Sequence, residues 1–144
     1  MNSISSILAR KGTDTISVSP DTTVLDALRI MAEKNIGSVM VINDGNFVGV
    51  VSERDYSRKV ILKGKHSHDT LVSEIMSSEL PTVTPKDSVE HCMSLMTKNA
   101  IRYVPVFENG KLAGIISMSD VVKETILSQK ETINQLESYI HGQG

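Results

Sequence analysis

The chain of 144 residues holds no tryptophan, only three tyrosines and two phenylalanines, and a single cysteine. So few rings leave little for stacking bases, and a formal charge of −2 supplies no field for a phosphate backbone, so a nucleic-acid surface is not expected. One cysteine excludes an internal disulfide framework and fits a reducing compartment. No apolar run approaches the roughly eighteen residues of a membrane span. The first thirteen residues carry Arg10 and Lys11 and no acid, a charge balance seen in transit peptides. They lack a separate apolar region and a cleavage signal, and read as part of the fold in a cytoplasmic protein. What is present is ordinary globular composition, 40% hydrophobic and 22% charged, in a length suited to one compact domain and not to two large ones.

The dominant feature is a gapless internal repeat. Residues 18 to 62 return sixty-five positions later with thirteen identities among forty-five pairs, Pro20/Pro85, Gly49/Gly114, Ser52/Ser117 and Asp55/Asp120 among them. A repeat of this length is a supersecondary unit whose apolar face is too small to stand alone, so two copies are expected to bury each other.

Each copy reads in one order. A short strand, Ile16 to Val18 or Pro81 to Val83, leads into a Ser/Thr-Pro turn whose Asp or Ser can cap. An amphipathic helix follows, with Val24, Leu25, Leu28, Met31 and Ala32 on one stripe, or Val89, Met93, Leu95 and Met96. Two β-branched runs, Ser38 to Asn43 and Phe47 to Ser52, then flank Asn43-Asp44-Gly45-Asn46, and Asn109-Gly110 marks the same hairpin in the second copy. A second helix starts near Glu53 and near Met118. Ile4-Ser5-Ser6-Ile7-Leu8 resembles Val72-Ser73-Glu74-Ile75-Met76, which places a short helix before each copy. The fold class is therefore α+β, two βαββα repeats related by pseudo-twofold symmetry. The polar stretch Lys63 to Asp69 reads as the linker. The expected division is 1–65, 66–127 and a helical tail 128–144, with Gly142-Gln143-Gly144 disordered. Ile126, Ile133 and Ile140 recur at seven-residue spacing, too briefly to define a coiled coil; a terminal helix packing on its own or a neighbouring subunit suffices.

The segments Gly49-Val50-Val51-Ser52-Glu53-Arg54-Asp55 and Gly114-Ile115-Ile116-Ser117-Met118-Ser119-Asp120 concentrate the chemistry. Glycine lets backbone pass close to something. Ser-x-x-Asp before a helix is close to a capping box, in which both side chains satisfy orphan N–H groups. The same geometry suits a ligand: helix N–H groups and dipole for a phosphate, a hydroxyl beside them, and a carboxylate for vicinal ribose hydroxyls. The basic set Arg54, Arg58, Lys59, Lys63 and Lys65 reads as a solvated helix face, with Arg54 the exception that would draw an anion. His66-Ser67-His68 lacks a third ligand at metal-site spacing. Cys92 aligns with Ala27 on the helix stripe and reads as a buried small hydrophobe, not a nucleophile. Gly64-Lys65-His66-Ser67 lacks the glycine spacing of a P-loop.

The doubling, the Ser/Thr-Pro turns, Arg102-Tyr103-Val104-Pro105-Val106 and the two Gly-h-h-Ser-x-x-Asp endings together resemble the tandem CBS-domain pair, or Bateman module, over about residues 4 to 127. That resemblance implies two quasi-equivalent clefts between the repeats that take adenosyl ligands: AMP, ADP, ATP, NAD or S-adenosylmethionine. It implies Asp55 and Asp120 on the ribose, Ser52 and Ser117 on the phosphate side, and Thr15, Ile16 and Thr82 flanking the adenine. Ile36, Gly37, Ser38, Ile101, Arg102 and Tyr103 would line the clefts, with Arg102 reaching a phosphate and Arg54 beside the first site. The implied protein is a non-catalytic energy or metabolite sensor, a homodimer packed through helices, bound to AMP or NAD with no catalytic cofactor and no metal. A ligand-free structural or dimerisation module that recruits a partner protein is the alternative. An enzyme is disfavoured, because no nucleophile is paired with a base.

Overall fold

The computed structural model describes residues 2–12 and 15–142. Gln143 and Gly144, part of the end expected to be disordered, lie outside the described residues. The chain divides into two compact units: residues 14–80, and residues 1–13 together with 81–144. Each is a mixed α+β unit.

In the unit of residues 14–80, β1 (Ser17–Val18) leads to α2 (Val24–Lys34), the hairpin β2 (Ser38–Asn43) and β3 (Asn46–Ser52), then α3 (Glu53–Lys59) and α4 (Val72–Ile75). The sheet order is β1-β2-β3, parallel then antiparallel. The turn at Asp44 and Gly45 takes positive φ at both residues, as a two-residue hairpin demands. Helix α2 is capped by Thr23, whose hydroxyl accepts the Asp26 N–H. Val24, Ala27 and Met31 are its buried stripe, whereas Ala32, expected inward, is exposed. These side chains meet Val39, Val41, Val51, Val60, Val72 and Ile75 in one core.

The other unit joins α1 (Ile4–Lys11) to α5 (Val89–Asn99), the hairpin β4 (Tyr103–Glu108) and β5 (Lys111–Ser117), and α6 (Met118–Gly142). Its core gathers Ile4, Ile7 and Leu8 with Val83, Val89, Cys92, Met96, Val104, Val106, Ile116 and Val121. The inward stripe of α5 is Val89, Cys92 and Met96, with Met93 exposed. Cys92 is buried as expected, and that burial, with the charges of Asp87 and Asp120, pushes its thiol up to about 11.

Three differences from the sequence reading have physical causes. The strand expected at Pro81 to Val83 shrinks to one bridge, Val83 to Val106. In the first copy the Met40 N–H donates to Ile16 O at 3.2 Å; Pro105 stands at Met40's position in the second and has no N–H to give. The units also do not divide at residue 65. Helix α1 packs with the second repeat and α4 with the first, so each repeat carries the leading helix of the other. Backbone bridges fix this: Ser3 to Ser88 in one unit, Thr23 to Leu71 and Val50 to Ser77 in the other. Finally, the 63–69 stretch is tied down. Thr70 is buried, and the carbonyls of Ser67 and Thr70 accept the Leu25 and Val24 N–H groups at the start of α2.

Candidate functional site

Both Ser-x-x-Asp segments form reciprocal caps. Ser52 begins α3: its hydroxyl oxygen accepts the Asp55 N–H at 3.1 Å, and the Ser52 N–H donates to Asp55 Oδ2 at 2.9 Å. The Ser52 hydroxyl lies 3.0 Å from the same carboxylate oxygen. Both side chains are buried. At the start of α6, Ser117 N–H donates to Asp120 Oδ2 at 2.8 Å and Asp120 N–H to the Ser117 hydroxyl at 3.2 Å.

Each carboxylate also holds a lysine. Lys59 Nζ is 3.0 Å from Asp55 Oδ1 and donates to Ile75 O at 2.8 Å, so it fastens α4 to α3. Lys11 Nζ is 2.7 Å from Asp120 Oδ2 and donates to Ile115 O at 2.8 Å, fastening α1 to the end of β5. Glu124 occupies the position of Lys59 in the second copy and pairs with Arg10 of α1. The charge reversal explains why the cation for Asp120 comes from the leading helix. Burial pushes the Asp120 carboxyl up, but the hydrogen bonds from Lys11 and Ser117 and the Lys11 charge outweigh it and hold the group below its ordinary value.

The remaining predicted residues gather by register. Ser38 pairs with Ser52, and β1 runs parallel to β2 with Ser17 opposite Met40. Thr15, Ile16, Gly37, Ser38 and Ser52 therefore share one end of the sheet. The Glu53 N–H donates to Gly37 O at 3.0 Å, and the Met118 N–H donates to Arg102 O at 2.8 Å, placing the start of β2 or β4 beside each capped helix. Tyr103 pairs with Ser117 and is buried. Ile36 and Ile101 are half-buried at the ends of α2 and α5, each donating its N–H to a helix carbonyl. Thr15, Arg54, Thr82 and Arg102 are exposed. Thr82 immediately precedes the Val83 bridge, not the end of a strand.

The two sites are not equal. Both oxygens of Asp55 are engaged, whereas Asp120 Oδ1 takes no hydrogen bond among the described residues. A groove of about 440 Å³ opens beside Asp120, lined by Arg10, Lys11, Lys123, Ile126 and Leu127. Cations around a carboxylate over an aliphatic floor suit an amphipathic anion. Sequence reasoning missed Arg10 and Lys11, which no local spacing links to Asp120. Lys59, expected on a solvated helix face, is instead held between Asp55 and Ile75 O, and its place four residues after Asp55 was the signal for it. Among the described residues no three His, Cys, Asp or Glu side chains cluster as metal ligands, and no helix is long and apolar enough to cross a membrane.

Fold and site define a duplicated α+β module, each copy ending on a capped Ser-x-x-Asp helix start. The chain belongs to the CBS-domain family, whose profile matches residues 5–61 and 72–126, and it is a CBS-domain pair. It is 39% identical over 127 residues to the mitochondrial CBS domain-containing protein CBSX3 of Arabidopsis thaliana, covering 85% of this chain and 62% of that protein. It thus spans about three-fifths of that relative's length. Among solved structures it superposes on a CBS-domain protein from Burkholderia ambifaria with TM-score 0.85 and 40% identity, covering 89% of this chain and 96% of the other. A hexameric CBS-CP12 protein from bloom-forming cyanobacteria matches with TM-score 0.72 and 29% identity, covering 85% and 70%.

Proposed function

We propose that this chain is a non-catalytic sensor of an adenosyl ligand such as AMP, ADP, ATP, NAD or S-adenosylmethionine, and that it works as a self-associating, cytoplasmic module. The observation that carries the reading is the twice-built Ser-x-x-Asp helix start. Each start sets a carboxylate one turn in for ribose hydroxyls, beside the cap hydroxyl and the positive end of the helix dipole for phosphate. The caps do not oppose this role: they hold each carboxylate in one orientation before a ligand arrives.

Asp120 is the stronger site, since Lys11 takes only its Oδ2 and Lys123 stands by the groove for phosphate, with the charges of Arg10 and Lys11, held by Glu124 and Asp120, beside it. Asp55 receives a ribose only by sharing or displacing Lys59. Arg102 and Arg54 lie exposed near their sites and supply the outer phosphate contacts. Among the described residues no nucleophile is paired with a base, and the reading is regulatory, not catalytic.

Thermal unfolding against each of the five ligands at millimolar concentration tests this. A bound ligand raises the midpoint by mass action, because it stabilises the fold by about 2.7 kcal/mol at a hundred times its Kd. Each variant is compared with its own ligand-free midpoint, which separates lost binding from a lost cap. Asp120→Ala removes most of the ligand-induced rise, Asp55→Ala a smaller part, and the double variant all of it. A ligand shift that survives both substitutions rejects the site; no shift with any ligand rejects the sensor.

A further inference from the structure

Helix α6 runs on far beyond the core of its unit. Val121 and Glu124 are its last buried residues, and 129–141 are exposed throughout. That segment projects for about 20 Å at 1.5 Å per residue, and an isolated helix of this length is marginal in water. Yet it carries a seam. Val122, Ile126, Ile133, Leu136 and Ile140 fall within an arc of about 80° at 100° per residue, and all are 46–66% exposed. Gln129 is the one polar residue in the line.

The flanks say what covers it. One side presents Lys123, Lys130 and Glu137; the other presents Thr125, Thr132 and Tyr139. In a parallel pair the charged flank of one helix meets the uncharged flank of its mate. In an antiparallel pair the charged flanks meet each other. A dyad between residues 133 and 134 then sets Lys130 against Glu137 of the second copy, twice, and brings Ile133 beside Ile133 of the mate across the axis.

We propose that the α6 segment from Ile126 to His141 pairs antiparallel with the same segment of a second copy of this chain. The inference rests on the self-association in the proposed function and not on nucleotide binding. It names the surface, and melting with ligand cannot decide it either way.

Disulfide trapping reads the pairing directly, and all substitutions lie in the exposed tail except Cys92→Ala, which supplies a silent background. Lys130→Cys with Glu137→Cys places two thiol pairs across the dyad. Within one helix the two positions are about 10 Å apart, beyond disulfide reach, so every bridge is intermolecular. Under mild oxidation the double variant forms covalent dimer severalfold faster than either single variant, and adding Ile133→Asp abolishes the difference. A double variant that cross-links no faster than the singles overturns the proposal, and so does cross-linking that survives Ile133→Asp. Either result would leave the face to a different protein or to a parallel assembly.

Discussion

Gly49 and Gly114 occupy the same place in the two repeats, and each is where a leading helix comes closest. A Cβ on Gly49 would meet the Ser77 carbonyl at 2.8 Å and Met76 Sδ at 3.0 Å, whereas one on Gly114 would meet only Leu8 Cδ2, at 2.9 Å. Backbone held by two bridge hydrogen bonds to Val50 cannot retreat; the tip of a leucine can turn. Gly49→Ala should therefore cost about 1–3 kcal/mol as overpacking and Gly114→Ala distinctly less, measured as the shift in urea midpoint. Equal costs would mean that Leu8 is as immobile as the Ser77 backbone. The sequence announced a close approach at these glycines but not its object, because the neighbour comes from the other repeat's leading segment. Asp120 carries a pH signature at the same scale. Its carboxyl is held below the ordinary 3.8, so its contribution is present above that value and lost as pH falls through the lower folded value. Asp120→Asn should cost about 1–2 kcal/mol at neutral pH, and the gap to the native chain should narrow on acidification below 3.8. A gap that stays constant to lower pH would show that the carboxylate charge contributes nothing.

At the scale of elements, the two copies depart from each other wherever one residue changes what the backbone can do. Pro105 for Met40 removes a rung and reduces a strand to a bridge. Helix α3 is stopped at seven residues, and a short 3-10 turn over Ile61–Lys63 ends on Gly64 in the left-handed region. Gln129 stands in Gly64's place, so α6 runs to Gly142, continuing the helical run that the sequence shows from Val121 to about Tyr139. The hairpins, the helix starts at Glu53 and Met118 and the buried Cys92 were all legible, because each rests on local chemistry: turn residues, caps and an apolar stripe. The exact stripe was not. Ala27 and Cys92 point inward while Ala32 and Met93 do not, since packing against the sheet, and not hydrophobicity alone, selects among neighbouring apolar positions. The site was half legible for the same reason. Ser52 with Asp55 and Ser117 with Asp120 are local motifs, but the lysine on Asp120 arrives from more than a hundred residues away.

At the scale of the whole chain, the leading helices decide what each unit is. Ile4, Ile7 and Leu8 lie in one core with Val104, Val106 and Ile116, and Val72 and Ile75 lie in the other with Val39, Val41 and Val51. The chain therefore closes the unit built on the second repeat only with its first dozen residues, and neither repeat is complete as the contiguous segment its alignment suggests. Removing α1 takes three buried aliphatic side chains from that unit, and buried Leu or Ile lost singly costs about 2–5 kcal/mol, against a whole-domain stability of about 5–15 kcal/mol. It also removes Lys11 from Asp120 and Arg10 from Glu124, leaving two partly buried carboxylates without their cations. Deleting residues 1–12 should thus unfold the second repeat while sparing the first, although the cut lies beside the first in sequence. Hydrogen exchange on the truncated chain checks this amide by amide. Val104, Val106 and Ile116 should lose their protection while Val39, Val41 and Val51 keep theirs. Loss at Val39 and Val41 with protection retained at Val104 would instead assign α1 to the first repeat, as its position in the sequence suggests. Uniform loss at all six would show that the two units fold as one cooperative body, each needing the other's leading helix.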